Sequence, residues 1–520
     1  MLWLSWLTRQ TILNRLREVP IKGFVIAATG SGTGKTTISL AILAYLRSKG
    51  IQVAPFKVGP DFIDPGHHTK IAGRTSVNLD SWMLTKAYNQ SLFAKNSQGC
   101  DLAVVEGVMG LFDGYDSTSE TGSTAQMAKW LDLPVLLIVS AKGKARSAAA
   151  IVKGFETFDP DLTLAGVIFS QTGSRRHYEY LRDAVEQNCT TPCLGFMPRN
   201  EEIVMPERHL GLMTADELVM SPRVISLLVS MVEEHLDMDA LIKRLPVIEP
   251  RKVPADLPAS IKNKTMEKQG PVIAVARDKA FCFYYQDNLD SLKKAGARLV
   301  TFSPLTDTQL PPGIDGIYLG GGYPEVFAEH LSAKTTLLAQ IREFSRAGMP
   351  IYGECGGFMY LCGQVSGMDR QAQYAMTGCF DFCVQMSRRL RSLGYREITL
   401  TADTLIGRKG DVIRGHEFHY SSLVDTNAQK DTDTQKDKSA RDLTIKNVYQ
   451  VTSRAGQDIL LKGYQKNQTL GSYLHVHFAS NPNCAPVFVE HCASFRQARQ
   501  TSRPEQPIKS GKEHHGLQSA

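Results

Sequence analysis

The 520-residue chain lacks the features that mark extracellular, nucleic-acid-binding and membrane proteins. Ten cysteines are too few for a disulfide scaffold at this length, so a reducing, cytoplasmic setting is expected. The net charge of +7, from 59 basic and 52 acidic residues, is too small an excess to indicate a nucleic-acid partner. The apolar run at residues 1–6 is too short for a signal or spanning helix, and no later run reaches membrane length.

The composition is instead that of a globular protein with more than one domain. Hydrophobic residues make up 42% and charged residues 21%, which excludes wholesale disorder. Single hydrophobic cores stop growing beyond about 250–300 residues, so this length suits two or three domains. Four prolines, many charges and no hydrophobic period predict a linker, and a later polar stretch predicts a surface insertion. The predicted organisation is a leader at 1–20, a first domain at 21–244, the linker at 245–270, a second domain at 271–496 with the insertion at 425–441, and a polar tail at 497–520.

In both domains, short apolar runs alternate with amphipathic stretches. Runs typical of strands buried on both faces occur at 24–28, 51–56, 102–106, 135–140 and 164–170, and again at 272–276, 299–302, 316–319 and 350–353. This alternation indicates parallel strands joined by right-handed helical crossovers. We therefore predict an α/β protein of two doubly wound domains, each built on a mainly parallel sheet.

A glycine-rich loop follows the first predicted strand and opens the first predicted helix. Its residues are Gly30, Ser31, Gly32, Thr33, Gly34, Lys35, Thr36 and Thr37. Glycines let the backbone wrap around phosphate, Lys35 can bridge phosphate oxygens, and Thr36 can hold Mg²⁺. Thr29 stands where the strict motif has glycine, so this is a variant phosphate loop. The pattern predicts a P-loop nucleotide-binding domain.

Acidic residues follow two other strands of the first domain. Glu106 ends the run at 102–106, a position that faces bound phosphates and can hold a metal. Asp61 and Asp64 follow the second strand at the same edge of the sheet. They could serve a metal or a substrate, or they could only form turns beside proline.

The second domain carries a thiol version of the nucleophile elbow, the motif GECGG at 353–357. Its glycines permit the sharp turn that would expose Cys355, and the N–H of Gly356 faces the sulfur. The following helix N-terminus is expected to favour the thiolate. Another glycine turn, at 320–322, follows a strand, and Gly321 or Gly322 can donate the second hydrogen bond to an oxyanion.

A nucleophilic cysteine needs a base, and two late histidines are candidates. His475 and His477 lie in the apolar, strand-like stretch GSYLHVHF and are expected on the same face of that strand. The stretch HEFHYS at 416–421 superficially suggests metal binding, but its histidines are three residues apart and no further ligand is evident. No chemical role is predicted for it.

The motifs ATGSGTGKTT, FKVGPDFIDPGHH, NLDSWM, VVEGVMGLFDG and PERHLGL occur in the order that is typical of the cobyrinic acid a,c-diamide synthase family. The first domain resembles dethiobiotin synthetase and other P-loop amidoligases, and the second resembles the flavodoxin-like class I glutamine amidotransferases. By this resemblance Thr36, Glu106 and one of Asp61 and Asp64 coordinate Mg²⁺. The Tyr-x-His element of the amidotransferases favours His475 as the base, without the glutamate of a full triad.

The resemblance implies a glutamine-hydrolysing ligase that uses ATP, Mg²⁺ and L-glutamine to amidate the a and c carboxylates of a cobyrinate-type tetrapyrrole in cobalamin biosynthesis. Hydrogenobyrinate and nickel-sirohydrochlorin remain alternative substrates, and a homodimer remains open. An Asn-Arg pair common in the family is replaced by Ser170-Gln171, which leaves adenine recognition undefined. The rival from another class is a P-loop switch ATPase with an inert glutaminase-like domain. Gly30 stands where such switches carry a signature lysine, which counts against that reading.

Overall fold

The computed structural model describes residues 20–203, 207–208, 211–218, 220–248, 270–368, 372–424 and 445–501. The predicted leader apart from Pro20, the insertion at 425–441, residues 249–269 of the predicted linker and parts of the PERHLGL motif lie outside these ranges. Among the described residues, no helix combines the length and apolar character needed to cross a membrane.

The N-terminal domain alternates strands and helices along most of its length. Its strands are β1 (Ile21–Ala28), β2 (Val53–Val58), β3 (Val77–Leu79), β4 (Leu102–Glu106), β5 (Val135–Ser140), β6 (Leu164–Thr172), β7 (Cys193–Pro198), β8 (Glu207–Arg208), β9 (Gly211–Leu212) and β10 (Val247–Ile248). Its α-helices are α1 (Lys35–Ser48), α2 (Ile63–Ala72), α3 (Lys86–Ser97), α4 (Thr124–Leu131), α5 (Ser147–Phe158), α6 (Arg175–Asn188), α7 (Pro222–His235) and α8 (Met238–Arg244), with a 3₁₀ turn at Glu201–Ile203.

The C-terminal domain begins with the same alternation and then becomes rich in short strands. Its strands are β11 (Val272–Ala276), β12 (Arg298–Phe302), β13 (Gly316–Leu319), β14 (Ile351–Glu354), β15 (Gln364–Ser366), β16 (Gln373–Ala375), β17 (Cys383–Met386), β18 (Ser392–Leu400), β19 (Val412–His419), β20 (Ser421–Val424), β21 (Lys446–Asn447), β22 (Tyr449–Ser453), β23 (Asp458–Ile459), β24 (Tyr464–Lys466), β25 (Thr469–Ser472) and β26 (Leu474–Val476). Its α-helices are α9 (Gln286–Lys294), α10 (Ala328–Ser332), α11 (Thr335–Arg346), α12 (Gly356–Leu361) and α13 (Cys484–Thr501), with a 3₁₀ turn at Phe478–Ser480.

Parallel sheets organise both domains, which confirms the predicted fold class. The N-terminal sheet has the order β3-β2-β4-β1-β5-β6-β7, and every neighbouring pair on this path is parallel. The main C-terminal sheet has the order β12-β11-β13-β14-β25-β24-β21, of which the first five strands are parallel. The sequence did not predict the antiparallel five-stranded sheet β23-β22-β18-β19-β26, which carries the histidine strand.

Each parallel sheet is covered on both faces, because alternate residues of its central strands enter different cores. In β1, Val25 packs into one cluster, while Phe24 and Ile26 pack into a second cluster with α1. In β11, Ala274 packs into one cluster and its neighbour Ile273 packs into another. A strand buried on both faces must be apolar throughout, which is why these strands were readable as continuous hydrophobic runs.

Two predicted domain boundaries differ from the helices and strands observed. The last helix, α13, continues to Thr501 and so crosses the predicted start of the tail at 497. The predicted linker begins with β10, which pairs antiparallel with the first residues of β1. Proline and charge content predicted irregular chain at this point, but they carried no signal for a short strand added to the start of β1.

The two domains meet through polar contacts around the NLDSWM segment at 78–83. Asp80 is fully buried and accepts hydrogen bonds from the Trp82 and Met83 amides and from the Tyr395 hydroxyl of the second domain, at 2.9, 2.7 and 2.8 Å. Arg414 of the second domain donates to the Trp82 carbonyl at 3.0 Å. Burial raises the pKa of Asp80 to about 6 despite these donors.

We expect the Asp80 carboxyl to make the stability of the interface depend on pH. Its folded pKa lies above its unfolded value, so its contribution is greatest below about pH 4 and is lost as the pH rises through about 6, by about 3 kcal/mol in total. As the pH rises over this range, the free energy of unfolding of wild type should therefore fall relative to that of Asp80→Asn, whose side chain does not ionise. Urea unfolding followed by tryptophan fluorescence would measure it, since Trp82 packs 4.8 Å from the Tyr395 ring.

Tyr395→Phe is the matched control because it removes one donor and leaves the carboxyl in place. In Tyr395→Phe, the free energy of unfolding should fall more steeply with rising pH, because the ionised Asp80 carboxylate lacks this donor. A wild-type to Asp80→Asn difference that stays constant from pH 4 to 7 would contradict the assignment.

Candidate active site

The phosphate loop has the geometry that its glycines predicted. It runs from the end of β1 at Ala28 to the start of α1 at Lys35. Gly32 and Gly34 have φ of 73° and 86°, a region that side chains rarely adopt, and Gly34 directly precedes the helix. The Lys35 ammonium donates to the Met109 carbonyl at 3.0 Å. Burial, reinforced by the charge of Lys57, lowers the pKa of Lys35.

Two of the predicted metal ligands converge on Thr36. Its hydroxyl lies 2.9 Å from Glu106 Oε1 and 3.3 Å from Asp64 Oδ2. Asp61 is placed differently, because its Oδ1 accepts hydrogen bonds from the amides of Ile63 and Asp64 at 2.8 and 3.1 Å, in the turn that leads into α2. The structure therefore brings Asp64 to Thr36 and gives Asp61 the turn-forming role that the sequence had left open.

Lys57 is the residue at this site that sequence reasoning missed. It is buried in β2, directly opposite Glu106 on the neighbouring strand, and its ammonium lies 2.9 Å from Glu106 Oε1 and 2.5 Å from Asp64 Oδ2. Asp61 Oδ2 is 3.9 Å away. A signal was present, since a lysine inside the otherwise apolar run VAPFKV must find anionic partners when that strand is buried.

The charges of this cluster depend on one another. Burial alone would raise the pKa of Glu106, but the charge of Lys57 and a 2.7 Å bond to His68 Nε2 hold it well below its usual range. Burial and the charge of Asp61 raise the pKa of Asp64 well above its usual value. Burial opposes the charged form of Lys57 as well, yet Asp64 and Glu106 raise its pKa. The cluster therefore keeps a cation next to the carboxylates.

The oxygen donors of Thr36, Asp64 and Glu106 suit Mg²⁺, which prefers hard oxygen ligands and takes few of them from a protein when phosphates supply the rest. Among the described residues, no group of three or more His, Cys, Asp or Glu side chains is arranged to hold a metal by itself. A site completed by nucleotide phosphates fits both observations.

Gln171, at the position that left adenine recognition undefined, contacts the phosphate loop. Its side-chain amide donates to the Gly32 carbonyl at 3.3 Å and accepts from the Ser140 hydroxyl at 3.0 Å. Its backbone is left-handed, with φ of 54°. Gln171 therefore supports the loop that would surround phosphate.

In the second domain, Cys355 occupies the predicted elbow between β14 and α12. Its φ of 47° is unusual for a residue with a side chain and turns the chain sharply at the sulfur. Glycine is required at 357, because a Cβ there would lie 2.1 Å from the Leu319 carbonyl oxygen. The Cys355 sulfur lies 3.8 Å from the Phe418 carbonyl oxygen.

The 320–322 turn lies beside this elbow, but its Gly321 amide is already bonded. That N–H donates to the Phe283 carbonyl at 3.2 Å. A Cβ on Gly356 would lie 3.0 Å from the nitrogen of Gly322, so these two glycines are close neighbours. The arrangement favours Gly322 over Gly321 as the partner of Gly356 in binding an oxyanion.

The histidine stretch is not one continuous strand. It breaks at Tyr473, so β25 lies in the main sheet and β26, with His475, pairs with β19 in the antiparallel sheet. His475 lines the same cavity as Cys355. His477 follows β26 and packs 4.8 Å from the Tyr285 ring, outside that lining. Alternation along one strand could not separate the two histidines, because β26 ends at Val476, between them.

The electrostatics of the thiol site differ from the expected thiolate. Burial raises the pKa of the Cys355 thiol, and the Gly356 N–H only partly offsets this effect. Burial lowers the pKa of His475 to about 3. The Gly356 N–H at the helix N-terminus does favour the thiolate, as expected, but burial outweighs it, so a neutral thiol and a neutral imidazole share one cavity.

That cavity joins the two domains. It has a volume of about 410 Å³, and its lining includes Thr36, Asp61 and Asp64 from the first domain and Cys355 and His475 from the second. The interdomain wall is aromatic, because Phe62 packs 4.8 Å from His475, 5.4 Å from Phe283 and 4.7 Å from Tyr285 between ring centroids.

The HEFHYS stretch, to which no chemical role was assigned, supplies another side of the cavity with His416, Phe418 and His419. His419 Nε2 bonds Glu417 at 2.8 Å, and the other carboxylate oxygen of Glu417 accepts from Arg396 at 2.8 Å. Glu417 therefore links Arg396 to His419, which lines the same cavity as Cys355. The local motif could not predict the bond to Arg396, because Arg396 lies on a different strand.

Comparison with known proteins identifies the family. Residues 24–212 match the CobQ/CobB/MinD/ParA nucleotide binding domain, and residues 272–483 match the CobB/CobQ-like glutamine amidotransferase domain. The chain is 42% identical over 468 residues to the cobyrinate a,c-diamide synthase of Syntrophotalea carbinolica, covering 90% of this chain and 98% of that one. It belongs to the cobyrinate a,c-diamide synthase family.

Other members of the family are similar over nearly the whole chain. The cobyrinate a,c-diamide synthase of Leptospira interrogans serovar copenhageni is 41% identical over 475 residues, covering 91% of this chain and 99% of its own. That of Listeria monocytogenes serotype 4b is 42% identical over 465 residues, covering 88% and 96%. The family match spans both domains, as the order of motifs predicted.

The buried position of Lys57 predicts a large effect on stability for this family member. Lys57→Met would leave Asp64 and Glu106 buried without their cation and should lower the free energy of unfolding by about 3–5 kcal/mol. Urea unfolding would measure the loss. Lys49→Met is the control, because the Lys49–Glu233 pair is about half exposed and should contribute less than about 1 kcal/mol. Equal losses in the two variants would refute the central role of Lys57.

The neutral thiol predicts how Cys355 reacts with an alkylating agent. Because burial raises its pKa, the rate of iodoacetamide modification should be low at pH 7 and should still be rising at pH 9. Peptide mass spectrometry resolves Cys355 from the other nine cysteines. A rate that reaches its plateau below pH 7 would show that the thiolate already exists in the free protein.

Proposed function

We propose that this chain is a glutamine-dependent ligase that converts the a and c carboxylates of cobyrinate to amides, using ATP and L-glutamine. The observation that carries the proposal is the single cavity lined by Cys355 and His475 on one side and by Thr36 and Asp64 on the other. A thiol site and a phosphate site that open into one space suit a reaction in which one half supplies the nitrogen and the other activates its acceptor.

In the glutaminase half, Cys355 Sγ attacks the amide carbon of glutamine while His475 removes the thiol proton. The tetrahedral oxyanion is stabilised by the N–H groups of Gly356 and Gly322, and a donor of this kind lowers the barrier by about 3–4 kcal/mol. His475 returns the proton to the leaving nitrogen, ammonia departs, and a γ-glutamyl thioester remains. Water then hydrolyses the thioester to glutamate, with His475 again as the base.

In the ligase half, the loop Gly30–Thr37 binds the phosphates of ATP, and a substrate carboxylate oxygen takes the γ-phosphoryl group to give an acyl phosphate and ADP. Thr36, Asp64 and Glu106 would hold Mg²⁺, which neutralises phosphate charge during the transfer. Lys35 contributes a second positive charge at the phosphates. Ammonia attacks the acyl carbon, phosphate leaves, and the proton lost from nitrogen passes to solvent.

The shared cavity supports direct transfer of ammonia. Ammonia in bulk water at neutral pH is mostly ammonium, which is not nucleophilic. The part of the wall formed by Phe62 and Phe283 is apolar and disfavours a charged ion. The names of the curated relatives support cobyrinate over hydrogenobyrinate or nickel-sirohydrochlorin as the substrate. A cytoplasmic enzyme would have ATP and glutamine at hand, and a homodimer remains an expectation.

Separation of the two half-reactions tests the proposal. Cys355→Ala should lose glutamine-dependent amidation and retain amidation with ammonium chloride, because only the source of nitrogen is removed. Lys35→Ala should lose amidation with both nitrogen donors. Mass spectrometry of cobyrinate incubated with ATP and Mg²⁺ would detect each amide as a loss of about one mass unit relative to the acid.

Two outcomes would overturn the assignment. If Cys355→Ala still used glutamine, the nucleophile would be another residue. If wild type consumed ATP and glutamine without forming an amide on any tetrapyrrole, the ligase assignment itself would fail.

A further inference from the structure

The carboxyl group of Glu354 lies directly before the nucleophile and is almost completely buried. Its Oε1 accepts hydrogen bonds from the Tyr352 hydroxyl at 2.8 Å and from the Val476 amide at 3.1 Å. Its Oε2 accepts from the Tyr318 hydroxyl at 3.1 Å. Burying a carboxyl at this depth is costly unless it is hydrogen-bonded, so these three donors hold the Glu354 side chain in place.

The Val476 bond is the one that reaches the base, because Val476 follows His475 in β26. The nucleophile and the base belong to different sheets, since Cys355 follows β14 in the main sheet and β26 pairs with β19. The chain breaks between the sheets at Tyr473. Glu354 spans this break, with its backbone in β14 and its side chain on β26.

Within the described part of the chain, no acidic side chain bonds the His475 ring. Its Nδ1 is buried and finds no hydrogen-bond partner among the described residues. A base in a triad is normally held by a carboxylate on this nitrogen. Here the restraint is a hydrogen bond to the amide of Val476, the residue after the base, from the side chain next to the nucleophile.

We propose that Glu354 is the positioning residue of the glutaminase site, which fixes His475 relative to Cys355 by holding the Val476 amide. The inference rests on the proposed function, since it assigns a role within glutamine hydrolysis. Asn288 supports the same segment from the other side, by donating to the Val476 carbonyl at 2.7 Å and accepting from the Phe478 amide at 2.8 Å. Two side chains thus hold the backbone of the segment that directly follows the base, at Val476 and Phe478.

Two variants distinguish the role of Glu354 as a hydrogen-bond acceptor from the role of its charge. Glu354→Gln keeps an oxygen that can accept from Val476, whereas Glu354→Met has a similar length and no such acceptor. Misplacement of a catalytic group by about 1 Å can cost about 100-fold in rate. We expect Glu354→Met to lower kcat for glutamine hydrolysis at least about tenfold with KM within about threefold, and Glu354→Gln to restore most of kcat. Amidation with ammonium chloride should stay within about twofold in both, because the ligase half does not use this residue.

Asp315→Leu is the matched control. Asp315 is as deeply buried in the same domain, but it bonds Val272 and Arg499, away from β26. It should lower stability without lowering kcat for glutamine hydrolysis. Hydrogen exchange provides a readout that does not depend on activity. The peptide containing Val476 should exchange faster in Glu354→Met than in wild type or Asp315→Leu.

The outcomes are distinct for the two proposals. Wild-type kcat together with unchanged exchange at Val476 in Glu354→Met would overturn the positioning role. A loss of kcat equal to that of Asp315→Leu at equal stability would also overturn it, since the effect would then come only from the fold. If wild type hydrolysed no glutamine at all, the proposed function would fail, and the exchange comparison would still decide whether Glu354 holds this strand.

Discussion

The packing of Phe62 against His475 is the contact on which the arrangement of this molecule depends. Phe62 lies between Asp61 and Asp64 on the loop after β2, and its ring meets the imidazole of the other domain at 4.8 Å. The carboxyl ends of the two parallel sheets therefore face one another, with the acid cluster and the thiol in the walls of one cavity. Open α/β sheets bind their ligands at these ends, so facing them together gives two sites one common space.

The buried ionisable groups on the two sides of that cavity differ in charge. On the phosphate side, Lys57 lies among Asp64 and Glu106, so charge is retained and balanced within hydrogen-bonding distance. On the thiol side, burial favours the neutral forms of both Cys355 and His475. Moving phosphate requires fixed positive charge. Proton transfer from Cys355 to His475 creates a pair of opposite charges, which burial disfavours in the free protein. The phosphate half is thus charged before substrate binds, whereas the thiol half is neutral.

Local sequence was sufficient where a motif creates its own geometry. The glycines before Lys35 and around Cys355 dictate their turns, and Glu106 could be placed at a sheet edge because a buried strand ends there. Contacts made through tertiary structure were not readable: Lys57 needed the register of β2 with β4, and Phe62 needed the docking of the second domain. The effect of the helix terminus on Cys355 can be seen in sequence, but the larger and opposing effect of burial cannot, because the depth of burial depends on tertiary structure.

The antiparallel pairing of β10 with the first residues of β1 determines where the covalent connection between the domains is attached. The chain leaves the first sheet at the amino end of its central strand, and it enters the second sheet at the amino end of β11. Both attachment points are thus remote from the carboxyl edges that enclose the cavity. Alignment of the two active centres is therefore a property of complementary surfaces rather than of the tether.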